Sequence, residues 1–166
     1  MVNLKIQFGR KQEVQRILAT LPRLDWYKKH NVFVLLPAGI NKKNASKIVE
    51  KDFNEAEYQA IAKELEEDFN KMPKEFFLKL EQRAGKKIPE NITAMLTKYG
   101  CGGSYNADTN WIIINYKVRK KENKPIYCLK HELIHIMLED EVQRKKLNQE
   151  EKEDLVNAVF DEITGL

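Results

Sequence analysis

Residues Cys128–Asp140 read CLKHELIHIMLED, and the rest of the chain is best read outward from them. The stretch contains His131-Glu132-Leu133-Ile134-His135, which holds two of the chain's 3 histidines with a glutamate between them. On a helix, residues i and i+4 lie one above the other on the same face. Both imidazoles can therefore reach one metal ion, with Glu132 beside His131. Zinc suits such donors, because imidazole binds it and a catalytic zinc takes three protein ligands while keeping one position for water. A carboxylate next to that water can take its proton and pass it on. The flanks support a helix. Pro125 is placed to open it. Ile126, Leu129, Leu133, Ile136 and Met137 give it an apolar face, and Cys128, His131, Glu132, His135 and Glu139 gather on the other.

HELIH on such a helix resembles the active-site helix of the zincin metallopeptidases. The resemblance implies that His131 and His135 bind zinc, that Glu132 is the general base, and that the chain hydrolyses peptide bonds. Zincin subfamilies differ in the third ligand. One continues as HExxHxxGxxH, but here Leu138 stands at the glycine position and Glu141 at the third histidine. Asp140 or Glu141 would have to bend back without a glycine to make the turn. The gluzincins instead take a glutamate from a second helix. Asn148–Ile163 reads as that helix, with Asn148 as N-cap and Glu151 completing a capping box. Leu155, Val156, Val159, Phe160 and Ile163 form its apolar face. Glu153 borders that face, eighteen residues after His135, and is the expected third ligand, with Asp154 and Glu150 as competitors. Where that family often carries a supporting acid, four residues further on, this chain has Asn157, whose side chain can still accept a hydrogen bond from a ring N–H. The resemblance covers roughly the last 75 residues, and the small size is similar to that of the minimal single-domain gluzincin-like peptidases.

Upstream, Trp111–Val118 (WIIINYKV) is the strongest strand signal, with Ile112, Ile114, Tyr116 and Val118 on one face and Trp111 and Ile113 on the other. By the same resemblance Asn106–Tyr116 is the antiparallel edge of the sheet, and a peptide substrate would add to it as a strand along Trp111–Tyr116. Gly100–Tyr105 (GCGGSY) lacks a P-loop's lysine and hydroxyl and reads as a turn. Ile92, Met95, Leu96 and Tyr99 have helical spacing after Pro89, with Gly100 as a C-cap. Tyr58, Ile61, Leu65 and Phe69 predict a longer helix capped at Asn54, broken or restarted at Pro73 and followed by a turn around Gly85.

At the N-terminus, Leu4–Phe8 alternates as a half-buried strand, Val14, Ile17, Leu18 and Leu21 recur helically, and Val32–Leu36 (VFVLL) reads as a buried strand. Residues 1–50 are thus strand–helix–strand, either the start of the catalytic sheet or a small N-terminal subdomain. Residues 88–166 are the expected catalytic core of a single α+β domain. His30 reads as a loop histidine, Cys128 as a small buried thiol rather than a fourth ligand, and Tyr105, Tyr116 and Tyr127 as candidate oxyanion donors.

Composition narrows the class. The chain has 166 residues, 33% charged and 42% hydrophobic, as soluble globular proteins do. No apolar run is long enough for a membrane span, and no signal-peptide pattern opens the chain. The 2 cysteines are too few for a disulfide framework, which favours the cytoplasm. A net charge of +4 does not argue for nucleic acid, and Lys117–Lys124 (KVRKKENK) reads as a solvated basic loop. The rival reading is a non-catalytic or regulatory zinc protein acting through a partner, in an operon or toxin–antitoxin setting.

Overall fold

The computed structural model describes residues 2–118 and 124–165. The fold is α+β. In chain order the elements are β1 (Asn3–Gln7), α1 (Arg10–Thr20), a 3-10 turn (Leu21–Arg23), α2 (Leu24–Lys29), α3 (Ala45–Asp52), α4 (Glu55–Asn70), α5 (Lys74–Ala84), β2 (Asn91–Thr97), β3 (Gly103–Asn106), β4 (Trp111–Asn115), α6 (Pro125–Lys145) and α7 (Gln149–Thr164). The strands form one mixed sheet in the order β1-β2-β4-β3. β1, β2 and β4 run parallel, and β3 is antiparallel to β4 at the edge. Among the described residues, no helix is long and apolar enough to cross a membrane.

The larger core lies between the sheet and the long helices. Ile92, Ala94 and Leu96 of β2 and Ile112 and Ile114 of β4 share it with Leu129, Leu133 and Met137 of α6, Leu65 of α4, Leu80 of α5 and Val156 and Val159 of α7. A smaller cluster joins Ile17 of α1, Ala45 and Val49 of α3, and Tyr99. The first 50 residues are tied to the sheet. β1 pairs with β2, and the buried Glu13 of α1 accepts hydrogen bonds from Tyr58 Oη, Thr97 Oγ1 (2.6 Å) and the Lys98 backbone N–H (2.8 Å). Burial holds that carboxyl above its usual pKa, although each of these donors favours the charged form.

Three sequence expectations are corrected. The segment expected as a helix around Ile92–Tyr99 is the strand β2. With hydrogen-bonded neighbours on both sides, it carries a consecutive apolar run, Ala94–Met95–Leu96, on both faces, so Ile92, Met95 and Leu96 fall at helical spacing by coincidence. Gly100 therefore ends no helix. Its φ is +90°, Leu35 exchanges two 2.9 Å backbone hydrogen bonds with it, and a side chain there would collide with the Arg16 guanidinium. Val32–Leu36 is not a buried strand. Only Leu35 pairs, in an isolated bridge, and Phe33 is 66% exposed.

The third correction concerns the sheet's edge. β4 pairs with β2 on one side and β3 on the other, so Trp111–Asn115 lies inside the sheet and the antiparallel edge is Gly103–Asn106. The short, polar GSYN strand is the kind that tolerates an edge, whereas Ile112 and Ile114 are wholly buried. The helices at Asn54, Pro73 and Gly85 are placed as expected. Asn54 caps α4 through Glu57 N–H, α5 starts after Pro73, and Gly85 ends it in the left-handed region. The central part of the basic stretch Lys117–Lys124 lies outside the described residues.

Candidate metal centre

α6 begins at Pro125 and runs through the whole HELIH segment. Its apolar residues face the sheet, with Leu129, Leu133, Ile136 and Met137 all at most 2% exposed. That packing fixes the helix's rotation and turns His131, Glu132 and His135 into a cleft of about 1400 Å³, which β3, α7 and the α2 segment also line.

α6 closes with Lys146 in the left-handed region (φ 54°, ψ 41°). Leu147 N–H bonds Val142 O at 3.1 Å and Lys146 N–H bonds Gln143 O at 3.2 Å, a Schellman arrangement. The chain then reverses at once into α7, where Asn148 and Glu151 make the expected capping box. The reversal brings Glu153 over the two histidines.

His131 Nε2 and His135 Nε2 are 3.1 Å apart, and Glu153 Oε2 is 3.4 Å from each. Zinc held tetrahedrally at about 2.0–2.1 Å from such atoms sets neighbouring ligands about 3.3 Å apart. The three atoms thus already stand at the spacing of one face of a zinc tetrahedron, and the donor types fit. Among the described residues they form the one group of His, Cys, Asp or Glu side chains with metal-holding geometry. Gln149 Nε2 donates to Glu153 Oε1 at 2.8 Å, which leaves Oε2 directed at the imidazoles.

The alternatives lie elsewhere. Asp154 and Glu150 are exposed on the cleft wall. Glu141 binds Arg83 at 2.9 Å and Asp140 binds Lys86 at 2.6 Å, both away from the histidines. Cys128 Sγ approaches Gly102 O at 3.6 Å and is not one of the converging atoms. His30 lines the cleft against Trp26, with ring centroids 4.3 Å apart, and is not one of the converging atoms. Asn157 is exposed, and among the described residues no hydrogen bond joins it to either imidazole.

The electrostatics follow from crowding. Burial pulls His135 below its ordinary pKa against the pull of Glu153. At His131 burial acts the same way, but the bond to Glu153 and the nearby Glu132 outweigh it, and the pKa rises. Glu153 is held well below the carboxylate range, since its two histidine contacts overcome burial. Glu132, 7% exposed, is pushed up to about 7 by burial, partly offset by His131. A cation placed among these groups would favour ionised Glu132 and neutral imidazoles.

Two residues at the site were only partly legible in the sequence. Gly103 opens β3 directly against α6. A Cβ there would overlap the Glu132 carboxylate and come within 2.8 Å of Cys128 Sγ. The glycine-rich GCGGSY segment is therefore more than a turn. Tyr105, two residues along, stacks its ring on His135 (centroids 4.8 Å apart, planes 11° apart) and donates its hydroxyl to Glu139 at 2.7 Å. His135 Nδ1 is buried without a hydrogen-bond partner among the described residues, so the stacked Tyr105 ring, rather than an acceptor at Nδ1, orients this imidazole. Of the other two tyrosines, Tyr116 packs edge-on to Tyr58 in the core, and Tyr127 lines the cleft, 37% exposed. The short polar sequence GSYN of β3 gives no hint of either role.

No protein-family model, curated protein or solved structure matches this chain.

Proposed function

We propose that the chain is a zinc-dependent metallopeptidase of zincin type with the gluzincin ligand arrangement. The observation that supports this most is the near-equilateral triangle of His131 Nε2, His135 Nε2 and Glu153 Oε2, with 3.1–3.4 Å sides and a buried glutamate next in sequence to one vertex. His131, His135 and Glu153 hold the metal. When bound, zinc supplies Lewis acidity toward the scissile carbonyl and the attacking water.

The remaining work falls to the protein. Glu132 takes the proton of the attacking water and delivers it to the departing amide nitrogen, which couples attack to expulsion. Gly103 lets β3 approach α6 closely enough to hold that carboxylate in place. Tyr105 keeps the His135 ring in plane. Because its hydroxyl is committed to Glu139, Tyr105 is better suited to positioning than to binding an oxyanion; Tyr127, in the cleft wall, is the freer donor. The substrate backbone lies along the outer edge of β3 and extends that sheet by one strand.

The test is metal stoichiometry and hydrolysis together. One zinc per chain is expected in the wild type, weakened in His135→Ala and in Glu153→Ala. Glu132→Gln should keep the zinc and lose hydrolysis of a quenched peptide pool by at least about 100-fold. Zinc binding without hydrolysis in the wild type would favour the rival reading, a zinc protein acting through a partner. Absence of zinc under metal-replete conditions would remove both.

A further inference from the structure

The cleft has a second wall that the metal chemistry does not use. α2 and the residues after it line the same cavity as the three ligands. α7 packs on α5 and α6, whereas α2 packs on the 3-10 turn before it, so the two helices form separate walls. Tyr27, 7% exposed, anchors α2, and Val32 N–H bonds Tyr27 O at 2.9 Å, so the wall is held in place.

Of the charged residues of α2 and its caps, Arg23, Lys29 and His30 line the cleft with Trp26, while Asp25 and Lys28 do not. Arg23 and Lys29 are exposed and make no ion pair among the described residues. Trp26 is 44% exposed and lies on the His30 ring. Uncommitted cations beside an exposed indole, in the same cavity as the three ligands, suit a carboxylate side chain on a peptide. A nucleic acid fits less well, because its run of phosphates would also meet Asp108, Glu139, Glu150 and Asp154 in the same cleft, whereas a single carboxylate needs only the α2 wall.

We propose that the α2 wall, through Arg23, Lys29 and the Trp26–His30 pair, is a specificity site for an acidic side chain of the peptide. This rests on the peptidase reading for its context, but it is tested separately by binding.

In a Trp111→Phe background Trp26 is the sole tryptophan, and its fluorescence reports binding. Zinc-loaded Glu132→Gln protein in that background is titrated with peptides carrying glutamate, glutamine or lysine at one position, and with a short single-stranded RNA. Zinc-loaded wild type is run in parallel on the same peptides in quenched form. The glutamate peptide should bind about tenfold more tightly than the glutamine peptide, with the advantage shrinking as salt rises. Arg23→Glu/Lys29→Glu should reverse the order of the glutamate and lysine peptides while retaining zinc. Cleavage should follow the same order, mainly through KM.

Equal binding of the three peptides, an order unmoved by charge reversal, or tighter binding of RNA than of any peptide would overturn the assignment. Cleavage without an acidic preference overturns it while leaving the peptidase reading standing. Selective binding of the acidic peptide without any cleavage upholds this site and overturns the peptidase reading.

Discussion

Gly103→Ala is expected to disable the site without unfolding the protein. The added methyl overlaps the Glu132 carboxylate and comes within 2.8 Å of Cys128 Sγ. β3 cannot simply withdraw, because Gly103–Asn106 pairs with Trp111–Ile114 and Cys101 Sγ bonds Gly103 O at 3.1 Å. What can move is the far end of Glu132, a side chain with rotatable bonds facing a cleft. Driving it off its rotamer costs about 1 kcal/mol, which for a chain of this size lowers Tm by roughly 2–4 °C. Catalysis suffers far more, since a positioned general base contributes about 100- to 10,000-fold. The atoms nearest the new methyl belong to Glu132 and Cys128, not to the three ligands, so zinc stoichiometry should stay at the wild-type value. The assay is kcat/KM on a quenched peptide, alongside Tm and metal content. If zinc is bound and kcat/KM stays within threefold of wild type, Glu132 is not held by β3 and the roles given to both residues are wrong.

Three further perturbations bear on other parts of the structure. Tyr105→Phe keeps the stack on His135 and loses only the bond to Glu139, so zinc affinity should hold while stability falls by about 1 kcal/mol; Tyr105→Leu should loosen zinc about tenfold, as read by chelator competition. Glu141 is held at about 2, against an ordinary 4.5, by Arg83 and Lys145. Because the folded-state value is the depressed one, this stabilisation is complete above 4.5 and fades as pH falls through about 2. The pair reaches solvent, so Glu141→Gln should cost about 1 kcal/mol at pH 7 and nothing near pH 2, measured by thermal melts across that range. Lys146 is a non-glycine residue at φ 54°; Lys146→Gly should raise stability by about 1 kcal/mol in urea unfolding, and a loss would mean that the left-handed cap is not what ends α6.

What could be read from the sequence depended on whether the signal was local. α6 and the caps of α4 and α7 were legible because their determinants lie within one or two turns: Pro125 at the first helical position, Asn54 with Glu57, Asn148 with Glu151. β2 was not, because a strand buried on both faces loses the polar alternation that distinguishes it from a helix. Val32–Leu36 misled for the opposite reason, since an apolar run is not evidence of burial and Phe33 stands in solvent. Which strand forms the edge was hidden too. Edge position depends on pairing across the sheet, and the strong Trp111–Asn115 signal marks a strand with neighbours on both sides.

The site divides in the same way. The relation of His131 to His135 is internal to one helix, so spacing alone puts both imidazoles on one face, where their Nε2 atoms stand 3.1 Å apart. Glu153 belongs to another helix, and its position depends on how α6 stops. Had α6 continued one residue further, α7 would start about 100° further round the helix axis and a different acid of its first two turns would face the imidazoles. Lys146 in the left-handed region and the two carbonyl contacts at Gln143 and Val142 fix that stopping point, and the Asn148–Glu151 box starts α7 immediately afterwards. Amphipathic position favours Glu153 over its competitors Glu150 and Asp154 but does not by itself bring any of them to the imidazoles. Geometry separates them through this three-residue reversal, which leaves Glu153 Oε2 at 3.4 Å from both histidines and Glu150 and Asp154 on the exposed wall.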